Sequence, residues 1–269
     1  MLPPEDHRHG RRVGRFIKNL KEQQNKSMKI LAIETSADVA SVAIRADGET
    51  MGEFTLKTKK THSETLMPML DALLSAANLK IADLDLLAAA NGPGSFTGIR
   101  IGAAALLGLA FGRDIPCVGV STLYALAYGA ASAAGEGALL SPVMDARRGN
   151  FYNALFSVKD GVPLRLCPDR LIPGGDLAEE LRQAGAPKIY MPGDGRAAFS
   201  GEYGGIAQPL PERLSYQSAA AVALAAEAIF REAEDPRAFT DKSFRPVYIR
   251  PSQAERERMD RIKNESKND

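Results

Sequence analysis

From residue 29 onward, apolar and polar positions fall into blocks that predict short strands joined by tight turns. Residues 29–34 form an apolar run closed by Glu34. Thr35, Ser36, Ala37 and Asp38 make a turn, and residues 39–44 follow as a strand. Asp47-Gly48 signals a second turn, and residues 53–56 supply a third strand, completing a meander. Thr61 and Glu64 have capping-box spacing, so a helix opens there and carries Leu66, Met67, Met69, Leu70, Leu73 and Leu74. Pro68, with no amide donor, is expected to kink its early turns.

The apolar run 84–90 then meets Asn91-Gly92-Pro93-Gly94-Ser95-Phe96-Thr97-Gly98, which in turn meets the apolar run 99–111. The pattern predicts strand, glycine-rich loop, helix. Gly92 and Gly94 permit positive φ and close approach, and Ser95 or Thr97 can cap the helix. Free amides at a helix start suit an anion, so Thr35, Ser36, Gly92, Gly94 and Ser95 are candidate phosphate or nucleotide contacts. A plain strand-to-helix reversal explains the same residues. The helix over 99–111 is apolar almost all round and rich in Gly and Ala, so one face is expected to pack on its sheet. The opposite face then needs a protein partner or the second lobe.

The arrangement recurs. Residues 139–145 are an apolar run ending in Asp145, with a turn over 146–149 and a strand over 150–156. Residues 188–191 run into Pro192-Gly193-Asp194-Gly195 much as 84–90 run into Asn91-Gly92-Pro93-Gly94. Two duplicated lobes of mixed sheet flanked by helices follow, an α/β fold. The expected division is a leader over 1–27, a first lobe over 28–137, a second over 138–250 and a charged tail over 251–269. A last helix at about 217–232 is a candidate to return to the first lobe.

Composition narrows the function classes. The chain has 269 residues, 45% of them hydrophobic, and a formal charge of +1. The leader carries a local +4, leaving about −3 on the rest, unlike a protein held to nucleic acid mainly by phosphate contacts. No apolar run reaches the ~18 residues of a membrane span, the leader lacks a signal-peptide core, and two cysteines form no framework. A cytoplasmic protein is expected.

Duplicated meanders ending in carboxylates, each followed by a glycine loop and a helix, resemble the actin-like ATPase (ribonuclease H-like) fold. Within it, residues 30–36, 62–66, 92–102, 145–149 with Tyr152, and 246–250 are similar to the TsaB family, also called YeaZ. That resemblance implies a noncatalytic scaffold in the bacterial machinery that makes threonylcarbamoyladenosine at position 37 of tRNAs reading codons that begin with A. It implies a TsaD-like catalytic partner, a TsaE-like ATPase, a second copy of the chain as an alternative dimer partner, and tRNA contact only through the complex. Two helices, 62–77 and 98–111, would build the dimer contact through His62, Leu66, Met69, Leu70, Leu73, Arg100, Ile101, Ala105, Leu106 and Leu109. No cofactor is required, although weak ATP or ADP binding at a composite interface is compatible with the fold.

Catalysis by the chain itself finds few candidates. Its histidines are His7, His9 and His62, so no HxxxH or HExxH metal motif exists, and no metal ligand set or catalytic residue is assigned. There is no serine elbow and no P-loop lysine. An independent nucleotide-dependent ATPase or a metallopeptidase-like enzyme is the alternative reading.

Overall fold

A computed structural model describes residues 28–250, and both the basic leader 1–27 and the charged tail 251–269 lie outside the described residues. The first sheet has strand order β3-β2-β1-β4-β5. Its strands are β1 (Lys29–Glu34), β2 (Ala40–Ala46), β3 (Glu49–Leu56), β4 (Leu86–Gly92) and β5 (Cys117–Ser121). The meander β1-β2-β3 is antiparallel, whereas β4 and β5 join parallel to β1. Because side chains alternate along a strand, Leu31 and Ile33 enter one core while Ile30 and Ala32 enter another on the opposite face. Burial on both faces explains why β1 is apolar without interruption.

Helices α1 (His62–Ala76) and α2 (Phe96–Ala110) cover the first of these faces. The capping box forms, with the Thr61 amide donating to Glu64 Oε2 at 2.8 Å, and α1 continues through Pro68. Helix α2 starts three residues earlier than its apolar pattern indicates. Ser95 Oγ accepts from the Gly98 amide and so caps a turn that carries few apolar residues. The third strand is also longer than expected, because β3 starts directly after the Asp47-Gly48 turn as a largely exposed edge strand.

On the other face lie α3 (Thr122–Ala134) and α6 (Ala219–Glu232), and α6 packs on β1, β2, β4 and β5. Helix α3 is enclosed between lobes. Ala125 and Tyr128 face the first sheet, while Leu126, Ala130 and Ala134 face the second lobe.

The second lobe repeats the topology. Its four-stranded sheet runs β10-β9-β6-β12, through β10 (Val162–Arg165), β9 (Phe156–Lys159), β6 (Leu139–Leu140) and β12 (Ile189–Tyr190). That order, with β6 antiparallel to β9 and parallel to β12, matches β3-β2-β1-β4. The chain is thus an α/β protein of the actin-like, ribonuclease H-like fold class. The runs 139–145 and 150–156 each split in two. Their outer halves, β7 (Val143–Asp145) and β8 (Asn150–Asn153), form a three-stranded sheet with β11 (Arg170–Pro173). Pro142 offers no amide to a ladder, which breaks the first run. The buried Asn153 amide fills the gap, donating to Ser141 Oγ at 3.0 Å, Pro142 O at 3.0 Å and Ala154 O at 3.1 Å. Helices α4 (Gly174–Gln183) and α5 (Arg196–Tyr203) close the outer core around Phe151 and Phe199.

Candidate functional site

A cleft of 1110 Å³ opens where the two meanders face each other. Its walls are two turns of the same design. In the first lobe Glu34 Oε1 accepts the Ser36 amide at 2.6 Å, and in the second Asp145 Oδ1 accepts the Arg147 amide at 2.7 Å. Each carboxylate therefore braces the turn two residues ahead of it, the role of an Asx-type turn. This shared local work accounts for the carboxylates that end the two apolar runs.

The two acids differ in surroundings. Glu34 is 1% exposed, its Oε2 has no hydrogen-bond partner, and burial pushes its carboxyl up from 4.5 to about 7. The Ser36 amide opposes that rise, and Asp194 adds to it. Asp194, on the turn after β12, is also raised, first by burial, although it accepts from Gln217 Nε2 at 2.7 Å. Among the described residues no group of three or more His, Cys, Asp or Glu is placed to hold a metal ion. No helix among them is long and apolar enough to cross a membrane.

The glycine-rich loop touches this cleft with only part of its length. Gly94 and Ser95 line it, with Ser36 opposite, but Thr35 and Gly92 do not. Thr35 Oγ1 donates to Gly98 O at 2.8 Å. A Cβ at Gly98 would strike Thr35 O, and one at Gly94 would strike Ser36 O. These glycines therefore let the loop press directly on the first turn. Thr35 and Gly92 are corrected from ligand candidates to internal contacts, since Gly92 (φ 119°) lies against Val247 O.

That valine belongs to a strap over 244–250 that sequence reasoning did not single out as structure. The Val247 amide donates to Asn91 O at 2.7 Å, and Arg250 donates to Ala146 O at 2.6 Å, so the strap ties one lobe to the other across the cleft. Tyr248 sits 4.7 Å from the Phe96 ring and accepts from Arg100 Nε at 3.1 Å. Its sequence signal was a motif at 246–250 with no periodicity to mark an element.

The predicted contact residues divide sharply. Leu66, Met69, Leu70, Leu73 and Leu106 are buried in the core between helices and sheet, and this corrects their assignment to a partner surface. Ile101, Ala105 and Leu109 are half-buried against the same core. Arg100 is exposed but lies over the Phe96 ring at 3.8 Å, and His62 Nε2 is 2.7 Å from Ala37 O. The outward face is instead Met67, Pro68 and Ala72 on α1, with Ala104 and Gly108 on α2 and Phe111 just after it. Met67 is 48% and Phe111 80% exposed. Helix sequence located an apolar arc wider than one sheet contact, but not which part of it faced inward.

A family model for TsaD, described as tRNA N6-adenosine threonylcarbamoyltransferase, matches residues 50–257. A Bacillus subtilis (strain 168) protein described as tRNA threonylcarbamoyladenosine biosynthesis protein TsaB is 35% identical over 164 residues, 61% of this chain and 70% of the relative. A protein of the same description from Escherichia coli (strain K12) is 40% identical over 125 residues, 46% of this chain and 53% of the relative. The aligned stretch thus spans about half the length of that second relative. A solved structure from Pseudomonas aeruginosa, described as similar to peptidase YEAZ, superposes with a TM-score of 0.66 at 25% identity, covering 83% of this chain and all of that one.

Proposed function

The chain belongs to the TsaB (YeaZ) family, and from that premise we propose that it is a noncatalytic scaffold for threonylcarbamoyl transfer to adenosine in tRNA. It pairs with a TsaD-like catalytic subunit through the outward face of α1 and α2 and supports docking of a TsaE-like ATPase. The observation that carries this reading is that face itself. Met67 on α1 and Phe111 after α2 stand exposed, and α2 also exposes Ala104 and Gly108, whose small size lets a facing helix approach closely. Nucleotide contact is secondary and belongs to the composite interface. The cleft offers Ser36, Gly94 and Ser95 to an anion, but Asp38, Asp145 and Asp194 also line it and repel one.

The test is co-purification with the TsaD-like subunit and a tRNA modification assay with and without this chain. Omission is expected to abolish modification. Met67→Glu and Ala104→Glu are expected to prevent assembly while leaving a folded chain, because both positions are exposed. Full assembly and modification by the double variant would refute the assigned face.

A further inference from the structure

We propose that the mouth of the cleft is an RNA contact site, at which basic side chains from three separate segments hold the phosphate backbone of the tRNA. The identity of the RNA rests on the preceding reading; the contact itself rests on the charges. Lys57, Lys59 and Lys60 precede α1, Arg147 and Arg148 form the β7–β8 turn, and Arg250 ends the strap, and all six line one cleft. The lysines and the arginine pair are exposed. Asp145 answers only weakly, at 3.4 Å from an Arg147 side chain that is 82% exposed. The Arg148 guanidinium has no hydrogen bond or ion pair among the described residues.

The turn is held at a cost. Arg147 and Arg148 have φ of 68° and 58°, a region that side-chain-bearing residues avoid and that costs roughly 1 kcal/mol or more each. Glycine would serve the turn better, so two adjacent arginines there point to work done by their charge. Phosphates belong at the rim beside the exposed basic residues, because two of the lining acids, Asp145 and Asp194, are half-buried and repel a phosphate placed between the lobes. That arrangement disfavours an inserted nucleoside triphosphate and suits a polymer lying across the opening. Tyr248 lines the same cleft and is 38% exposed, so the part of its ring not packed on Phe96 is open to an unstacked base. Against a body carrying about −3, this local excess also orients the approach of a polyanion.

The experiment measures binding of a tRNA transcript to the full chain across a salt series, beginning at low salt. Arg147→Gly/Arg148→Gly removes two charges while relieving φ strain, so its thermal midpoint should be unchanged or raised and lost binding cannot be unfolding. It is expected to weaken binding about tenfold at low salt and to reduce the slope of log affinity against log salt by roughly 2. Lys59→Glu/Lys60→Glu should do at least as much. Unchanged affinity and slope in both pairs, or no tRNA binding by the wild-type chain at low salt, overturns the proposal. So does a loss confined to Arg11→Glu/Arg12→Glu/Arg15→Glu in the leader, or displacement of tRNA by saturable, one-to-one ATP. Assembly with the TsaD-like subunit is followed in parallel. Failure to assemble with tRNA binding intact counts against the scaffold reading alone.

Discussion

Replacing Glu34 by Gln is expected to stabilise this protein at neutral and alkaline pH, and the gain can be worked from the site. The carboxyl is 1% exposed, and its Oε2 and the nearby Ser36 Oγ both lack partners. Burial raises it from 4.5 to about 7, so the folded chain holds its proton more tightly than the unfolded chain does. Ionising it therefore costs folding free energy. The cost is absent below about pH 4.5, grows through the window up to about pH 7, and is complete above it. At about 1.36 kcal/mol per pH unit it reaches about 3 kcal/mol. Glutamine keeps the oxygen that accepts the Ser36 amide and places a donor where Oε2 stands alone. Urea titrations at pH 4, 6 and 8 should show the variant's advantage rising from near zero to about 3 kcal/mol. Asp194 and Glu232, both also raised by burial, tilt the pH dependence of both proteins alike and largely cancel in the difference. An advantage equal at pH 4 and pH 8, or a variant less stable at pH 8, would refute the reasoning.

The remaining expectations concern fold and strap. Leu70→Ala, at a site 1% exposed in the α1 core, should cost about 2 to 5 kcal/mol by chemical denaturation, whereas Met67→Ala should cost little. Gly98→Ala and Gly94→Ala should each destabilise by about 1 kcal/mol or more, because the added Cβ meets the backbone oxygens of Thr35 and Ser36; unchanged midpoints would show that the loop can move away. Tyr248→Ala removes a ring contact with Phe96 and the acceptor for Arg100. It should speed chymotryptic cleavage after Phe244, which is buried where the strap begins, while leaving the global midpoint within about 2 kcal/mol.

The first meander, the capping box, the loop-to-helix transition and the duplication were all legible because each is written in local pattern. Alternation places Leu31 and Ile33 against one face and Ile30 and Ala32 against the other, and the same carboxylate-turn unit stands at Glu34 and at Asp145. The α2 start was misplaced because Phe96 and Thr97 belong to a helical turn fixed by the Ser95 cap and not by apolar spacing. The paired breaks near Pro142 and Asn153 were missed because a side chain eleven residues away satisfies the freed carbonyl.

Contact residues were harder still. Leu66, Met69, Leu70 and Leu73 look like any exposed apolar stripe until the sheet beneath them is in place, and only their burial shows that Met67 and Ala104 belong to the outward face. The basic residues at the cleft lie far apart in the chain, at 57–60, 147–148 and 250, in a molecule with almost no net charge. Sequence by itself determined the repeated unit, the fold class and the family resemblance, since these rest on periodicity, turn chemistry and short motifs. Tertiary structure alone decided which helix faces remain outside and which distant charges share one opening. Those outcomes depend on contacts between residues that the chain's local pattern does not relate.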